Sequence, residues 1–152
     1  MTPGPDALRQ RLLAEATSWL GTPYHHLGDV KGVGVDCAML LVRVCTAAGA
    51  IPPDTDPRPY AHDWHLHAGR ELFLEWLQAH GRPVDRASLL PGDVGVWRFG
   101  RTYSHGALLL NSAGQLVHAH RPAGRVVIGN LNEHDLACRP ACFWRLRALE
   151  TP

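Results

Sequence analysis

The segment "DCAMLLVRVCTAAG", which starts at Asp36, constrains the fold more than any other part of the sequence. Apolar residues recur along it at the spacing of one helix face: Cys37, Leu40, Leu41, Val44, Cys45 and Ala48. Met39 and Val42 lie off that face and are apolar too, and Arg43 is the only charged side chain between Asp36 and Gly49. A helix that is apolar on nearly every side must be covered by other elements. The sequence therefore predicts a central, buried helix that is capped by Asp36 and ends at Gly49.

Two further helices are predicted on either side of this central one. An N-cap at Asp6 is followed by apolar residues at helical spacing up to Gly21, namely Leu8, Leu12, Ala16, Trp19 and Leu20. A shorter amphipathic helix is predicted around residues 70–80, and Gly81 ends it.

Residues 51–67, "IPPDTDPRPYAHDWHLH", separate the central helix from the shorter one. The segment is rich in proline and is therefore predicted to be extended rather than helical. Its length and aromatic content are typical of a lid or wall of a substrate groove. A surface loop that only braces the sheet is the alternative interpretation.

After "LLPGD" the pattern changes to short segments with turn signals between them. Strands are predicted at residues 94–99, 104–110, 115–120 and 125–128, and a last strand lies in "CFWRLRALE". Helices followed by a run of hairpin-linked strands are typical of an α+β fold with an antiparallel sheet. The chain has 152 residues, a suitable length for a single core, so we expect residues 1–152 to form one domain.

Charge and composition argue against several classes of protein. The formal net charge is +1, whereas nucleic-acid-binding proteins usually carry a basic face, so nucleic acid is not an expected partner. No apolar run approaches the roughly 18 residues of a membrane span. The first residues, "MTPGPDALRQ", lack the basic and apolar regions of a signal peptide. We therefore expect cytoplasmic synthesis without a signal peptide, and no membrane insertion.

The four cysteines do not have the pattern of a disulfide framework. Cys37 and Cys45 are two helical turns apart, which is too far for a bridge between them. His134, Cys138 and Cys142 have only a weak metal-ligand spacing, and the favoured interpretation of these two cysteines is that they are small buried apolar residues. We therefore predict that the protein needs no metal and no cofactor.

Cys37 and Cys45 differ in the chemistry that their positions allow. Only a thiolate is strongly nucleophilic, and the unpaired N–H groups of a helix N-terminus lower a cysteine pKa. Cys37 follows the cap directly, whereas Cys45 lies mid-helix among apolar residues. We therefore predict that Cys37 is a nucleophile with a lowered pKa, and that it needs a base which a third group orients. A buried structural thiol is the alternative.

Histidines in the predicted hairpin closed by "NSAG" supply candidates for that base. The turn places Leu110 opposite Gln115. This register sets His105 opposite His120, with His118 diagonal to His105 on the same face. Either His118 or His120 could then hold the ring of His105. The alternative is that the imidazoles lie on the solvated side of the sheet.

Five short motifs follow one another along the chain: "WLGTPY" from Trp19, "DC" at Asp36, "LLPGDV" from Leu89, "SHGALLL" from Ser104 and "LVHA" from Leu116. In this order and spacing they resemble the NlpC-type cell-wall peptidases, which are papain-like cysteine peptidases of bacteria and phages. The resemblance covers about residues 7–147. It implies the papain-like NlpC fold, in which a central helix with the nucleophilic cysteine packs on a five- to six-stranded antiparallel sheet.

The resemblance also implies a role for each of five residues, by their positions in the motifs. Cys37 is the nucleophile, His105 the base, and His118 the residue that orients His105. The Tyr24 hydroxyl assists the oxyanion, and Asp36 helps to bind a free amine of the substrate. The implied activity is hydrolysis of peptidoglycan stem peptides, between D-Glu and the diamino acid.

One departure and one finer resemblance bear on specificity. Ala38 and Met39 stand where the family often has Ser-Gly, which removes a hydroxyl that helps to bind the amine. The stretches "SWLGTPYHHLGDVKGVGVDC" and "PYAHDWHLH" resemble peptidases of phage tail modules and gene transfer agents. Such a protein acts at the cell wall as a virion component, with tail proteins as partners. A structural tail-assembly subunit and an acyltransferase on the same scaffold are the alternative functions.

Overall fold

The computed structural model describes residues 3–61 and 70–150. Helices and strands alternate little along the chain, since most helices come first and most strands come later. The elements are α1 (Pro5–Ser18), β1 (Asp29–Val30), β2 (Gly34–Val35), α2 (Cys37–Ala48), α3 (Leu72–His80), β3 (Gly81–Val84), β4 (Val94–Phe99), β5 (Thr102–Leu109), β6 (Gln115–His120), β7 (Arg125–Asn130), α4 (His134–Ala137) and β8 (Ala141–Leu146). The predicted α+β class is confirmed.

Six strands form one antiparallel sheet in the order β3-β8-β4-β5-β6-β7, and β1 pairs with β2 in a separate small hairpin. The predicted five- to six-stranded antiparallel sheet is therefore confirmed. β4 and β6 have the predicted bounds, whereas β5 starts at Thr102, two residues before the prediction. The last strand ends at Leu146 because the chain then forms a short 3₁₀ turn.

The central helix is α2, as the sequence predicts. An Asp36 carboxylate oxygen accepts a hydrogen bond from the Met39 backbone N–H at 2.9 Å, and Gly49 ends the helix with a φ of 84°. Among its twelve residues, eight are buried: Cys37, Met39, Leu40, Leu41, Val42, Val44, Cys45 and Ala48. They share one apolar cluster with α1 and with β4, β5 and β6, so that α2 lies between α1 and the sheet.

A close approach between α2 and β5 sets the position of the Cys37 end of the helix. Gly106 allows it, because a Cβ at this position would lie 2.7 Å from Leu41 Cδ1 and 3.0 Å from Phe73 Cε1. A larger residue at position 106 would require the side chains of Leu41 and Phe73 to shift. The backbone of residues 104–106 therefore lies directly beside the start of α2.

The start and end of α1 differ from the prediction. The helix begins at Pro5 with Gly4 as its N-cap, so the predicted cap at Asp6 is wrong. Proline suits the first helical position because the missing N–H has no partner there, and Asp6 instead interacts favourably with the helix dipole in the first turn. Leu20 lies beyond the helix end at Ser18 and is 40% exposed, so it is not part of the buried face.

Apolar residues also cover the other face of the sheet. They form a second cluster: Leu89, Trp97, Ala107, Leu109, Leu116, Leu131, Leu136 and Phe143. Strand alternation places His105 with Ala107, and His118 with Leu116, on this face. Among the described helices, none is both long and apolar enough to cross a bilayer.

Candidate active site

Cys37 is the first residue of α2, and its side chain is 9% exposed. The thiol donates a hydrogen bond to the backbone carbonyl of Ser104, with a distance of 3.4 Å from Sγ to the oxygen. The backbone N–H groups of Cys37 and Ala38 interact with the sulfur, because they lie in the first turn of the helix. The nucleophile predicted from sequence thus lies at the junction of α2 and β5.

The pKa of Cys37 is raised to about 12 instead of lowered. Burial is the largest cause, and the negative charge of Asp36 adds to it. The N–H groups of Gly106, Ala38 and Cys37 act in the predicted direction but are outweighed. The sequence-based prediction of a lowered pKa is therefore wrong, because it included the helix terminus and not the burial. Cys37 is a neutral thiol in the free protein.

His105 and His118 form a direct ring-to-ring hydrogen bond, with 2.8 Å between His105 Nε2 and His118 Nδ1. His118 is fully buried, which overturns the alternative that this imidazole lies on a solvated surface. Burial is the main cause that lowers the pKa of His105 to about 3 and of His118 to about 4. Both rings are therefore neutral near pH 7. With Nε2 bonded to His118, His105 has Nδ1 left for other partners.

His120 does not bond to His105. Its Nε2 lies 2.6 Å from Asp135 Oδ2, and its ring stacks on His118 with 4.7 Å between the ring centres. The predicted hairpin register is confirmed where the strands pair, at Leu108 with Val117 and at Leu109 with Leu116. The register set His120 opposite His105 and His118 diagonal to it, and left both as possible partners. In the structure it is His118 that bonds to His105.

Asp36 is 2% exposed and already has several donors. Besides the Met39 N–H, its carboxylate accepts from the Leu27 backbone N–H at 2.8 Å and from the Tyr60 hydroxyl at 2.6 Å. An incoming amine must therefore displace Tyr60 or compete with it. Tyr60 was not singled out from sequence; the signal was the aromatic content of the proline-rich segment in which it lies. Residues 62–67 of that predicted lid lie outside the described residues.

Tyr24 lies beside the thiol, within hydrogen-bonding reach of Cys37. Burial, followed by the charges of Cys37 and Asp36, raises the Tyr24 pKa far above its usual value, so the phenol keeps its proton. One cavity of about 410 Å³ is lined by Tyr24, Asp36, Cys37 and His105. All the predicted site residues except His118 therefore line the same cavity. His118 does not line it but is hydrogen-bonded to His105.

The other cysteines have different environments. Cys45 is fully buried in α2, as predicted, and Cys142 is partly buried. Cys138 is exposed, so its interpretation as a buried apolar residue is wrong; it directly follows the short helix α4, at the surface. Within residues 3–61 and 70–150, no group of three His, Cys, Asp or Glu side chains is arranged to hold a metal ion.

A central helix packed on a six-stranded antiparallel sheet is the papain-like fold of NlpC/p60 domains. Solved structures of that class have the same fold. An NlpC/p60 family protein from Bacillus cereus matches with a TM-score of 0.64 at 23% identity, covering 99% of this chain and 42% of that one. The peptidoglycan hydrolase RipB from Mycobacterium tuberculosis matches with a TM-score of 0.62 at 21% identity, covering 93% and 65%.

A curated protein is similar in sequence as well. It is the murein DD-endopeptidase MepS/murein LD-carboxypeptidase of Escherichia coli, 25% identical over 126 residues, or 83% of this chain. The match spans 56% of that protein's length. No family model matches the chain.

Proposed function

We propose that this chain is a cysteine peptidase of the NlpC/p60 family that hydrolyses peptidoglycan stem peptides, with residues 1–152 as its catalytic domain. The observation that carries the proposal is the His105–His118 hydrogen bond in a wall of the cavity that contains Cys37. A thiol, a base and an orienting group are the three parts that nucleophilic acyl transfer requires. The similarity to a murein endopeptidase supports peptidoglycan as the substrate.

In the proposed acylation step, the Cys37 sulfur attacks the carbonyl carbon of a stem-peptide amide. Because the thiol and His105 are both neutral, the proton leaves sulfur for His105 Nδ1 as the C–S bond forms. Among the described residues the thiol is hydrogen-bonded to Ser104 O, so this transfer requires a rotation about the Cys37 side chain. His105 then gives the proton to the leaving amine, and the C–N bond breaks.

Three donors are available to the developing oxyanion. The N–H groups of Cys37 and Ala38 lie at the helix start, and the Tyr24 hydroxyl is beside the sulfur. Donors that are fixed before the reaction stabilise the tetrahedral intermediate without reorganisation. In the second step, water attacks the thioester with His105 as base, and the thiol is regenerated. The chain's own residues supply every step, so the proposal needs no cofactor.

We assign cleavage to the bond between D-Glu and the diamino acid, from the family resemblance of the motifs. The resemblance to tail-module peptidases supports a role in local wall degradation at the tip of a phage-like particle, with tail proteins as partners. A purely structural subunit has no need of a thiol, a buried imidazole pair and an oxyanion site in one cavity, so we favour catalysis.

The test is digestion of purified peptidoglycan, read by mass spectrometry of the released fragments. Wild type is expected to release fragments with new D-Glu carboxyl ends, and Cys37→Ala none. Cys138→Ala is the matched control, because that thiol is exposed and does not line the cavity. Fragments from Cys37→Ala equal to those from wild type would contradict the proposal. Transfer of the peptide to an added amine in preference to water would indicate an acyltransferase.

A further inference from the structure

We propose that Arg139 forms a carboxylate-binding subsite in the cavity that contains Cys37 and His105. The inference rests on the proposed function, since it names a feature of the peptide substrate: a free carboxylate close to the amide that is cleaved. Three observations carry it, namely the fixed position of the guanidinium, its free terminal nitrogens and its place next to the base.

Two contacts fix the Arg139 side chain. Its Nε–H donates to the backbone carbonyl of Asp135 at 3.0 Å, and its Cζ lies 3.7 Å from the centre of the Phe99 ring. The hydrogen bond sets the direction of the guanidinium, and stacking on the ring sets its plane. The group is therefore ordered before a ligand arrives, which reduces the entropic cost of binding.

The terminal nitrogens of Arg139 are left for a ligand. No carboxylate of residues 3–61 or 70–150 lies within 4.0 Å of them, although Arg139 closely follows the acidic residue Asp135. The reason is that the Asp135 carboxylate is bonded to His120 Nε2 at 2.6 Å. Among the described residues that line the cavity, Asp135 is the acidic residue next to Arg139, and its carboxylate is already bonded to His120. A guanidinium with both terminal nitrogens open binds a carboxylate through two parallel hydrogen bonds.

Phe99 relates this guanidinium to the reaction centre. One face of the ring carries Arg139, and the ring also contacts His105, with 5.6 Å between ring centres. The cation therefore lies one aromatic ring away from the base. Asp36 lines the same cavity next to Cys37, so the cavity has a cation near the base and a carboxylate near the nucleophile. A bound peptide with a carboxylate on the residue before or after the scissile amide fits this separation of charge.

The two residues that flank the proposed scissile bond each offer such a carboxylate. D-Glu that is linked through its side chain has a free α-carboxylate, and the diamino acid has its own carboxyl group. The experiment therefore compares three peptides: L-Ala-γ-D-Glu-diaminopimelate, the same peptide with the D-Glu carboxylate as an amide, and the same peptide with the diaminopimelate carboxyl next to the scissile amide converted to an amide.

Binding of these peptides to Cys37→Ala protein is measured by calorimetry, so that hydrolysis does not interfere. Amidation of one of the two carboxylates is expected to weaken binding about 10- to 100-fold, the effect of losing a charged hydrogen-bonded pair. Adding Arg139→Gln should weaken binding of the parent peptide by a similar factor. It should leave the affinity for the peptide amidated at that carboxylate unchanged. Arg139→Lys keeps the positive charge but not the two parallel N–H donors of the guanidinium, so its affinity for the parent peptide is expected to be intermediate. Arg11→Gln, at an exposed position of α1, is the matched control.

Equal affinity for all three peptides overturns the subsite, and so does an Arg139→Gln effect of the same size on the parent and on both amides. Both of these results leave the proposed function intact, because that is decided separately by fragment release from peptidoglycan. No binding of any peptide overturns the subsite as well. Circular dichroism and thermal melting check each variant, and the comparison of amides on unsubstituted Arg139 stands even where Arg139→Gln does not fold.

Discussion

At the scale of single residues, the proposed chemistry depends on the protonation states of Cys37 and His105. Burial raises the pKa of the Cys37 thiol to about 12 and lowers that of the His105 imidazole to about 3. The two groups are therefore both neutral at ordinary pH, rather than a preformed thiolate and imidazolium. In the proposed mechanism the proton therefore moves during the attack, and the groups around His105 decide how easily it accepts that proton.

The pH dependence of kcat, measured at saturating peptide, tests this protonation state, because kcat/KM would also report the titration of the peptide's own α-amine. We expect a constant value from about pH 5 to about pH 10 for a stem tripeptide, because neither reacting group titrates in that range. The rate should fall only in more acidic solution, where His105 and His118 gain protons. The charged neighbours His120, Asp135 and Arg139 shift the position of that acidic limb. A decline above about pH 8.5, as an ion pair would give, contradicts the neutral assignment.

Substitutions of the three histidines test which of them orients the base. His105→Ala should abolish turnover. His118→Ala should lower kcat about 100-fold or more, the size of a general-base contribution, and His118→Asn should recover part of it because an amide oxygen accepts the same N–H bond. His120→Ala should keep most of kcat, because His120 bonds to Asp135 and not to His105. The measurement is turnover of a stem tetrapeptide, with circular dichroism as the folding control. A strongly reduced kcat in His120→Ala together with an unchanged kcat in His118→Ala would show that His120 orients His105.

At the scale of elements, β7 pairs with β6 and limits the space around the His118 ring. A Cβ at Gly129 would lie 2.8 Å from His118 Nε2 and 3.2 Å from Leu116 Cδ1. Gly129→Ala must therefore push the His118 ring, which is buried, bonded to His105 and stacked on His120. We expect kcat to fall at least tenfold and the free energy of unfolding to drop by about 1–3 kcal/mol. Ile128→Ala, at the neighbouring position that is 49% exposed, is the matched control and should change neither. Unchanged kcat in Gly129→Ala would show that the ring position is not critical.

Elements with a strong local signal were predictable from the sequence. α2 has a capping aspartate, an apolar repeat and a terminal glycine, and all three act over a few residues. β4 and β6 alternate or run apolar between clear turns, so their bounds agree with the structure. The hairpin register was predictable for the same reason, because the four-residue turn "NSAG" fixes which residues face each other across β5 and β6.

Other features depend on residues far apart in the chain and were not predictable. β3 (Gly81–Val84) is a strand only because it pairs with β8 more than fifty residues later, and its Pro83 argues locally against one. The Tyr60–Asp36 contact likewise joins two distant segments. The Cys37 pKa belongs to the same group, because burial arises from tertiary packing and outweighs the local effect of the helix start.

At the scale of the whole molecule, the buried histidines make stability depend on pH. His118 has a pKa of about 4 in the folded protein, against about 6.5 when unfolded, so the unfolded chain binds more protons between these values. Its contribution to stability is therefore complete above about pH 6.5 and is lost as the pH falls towards 4, at up to about 1.4 kcal/mol per pH unit. Thermal melting between pH 7 and pH 4 should show this slope, and His118→Asn should reduce it. An equal slope in His118→Asn would place the titrating group elsewhere.

The central claim is that Cys37 carries the peptide as a thioester, and intact-protein mass spectrometry during turnover tests it most directly. Protein is mixed with L-Ala-γ-D-Glu-diaminopimelate and quenched in acid, which preserves a thioester. We expect a mass increase equal to the L-Ala-γ-D-Glu acyl group, located on Cys37 by peptide mapping and absent from Cys37→Ala. Cleavage of the peptide with no acyl adduct, at an undiminished rate in Cys37→Ala, would contradict it.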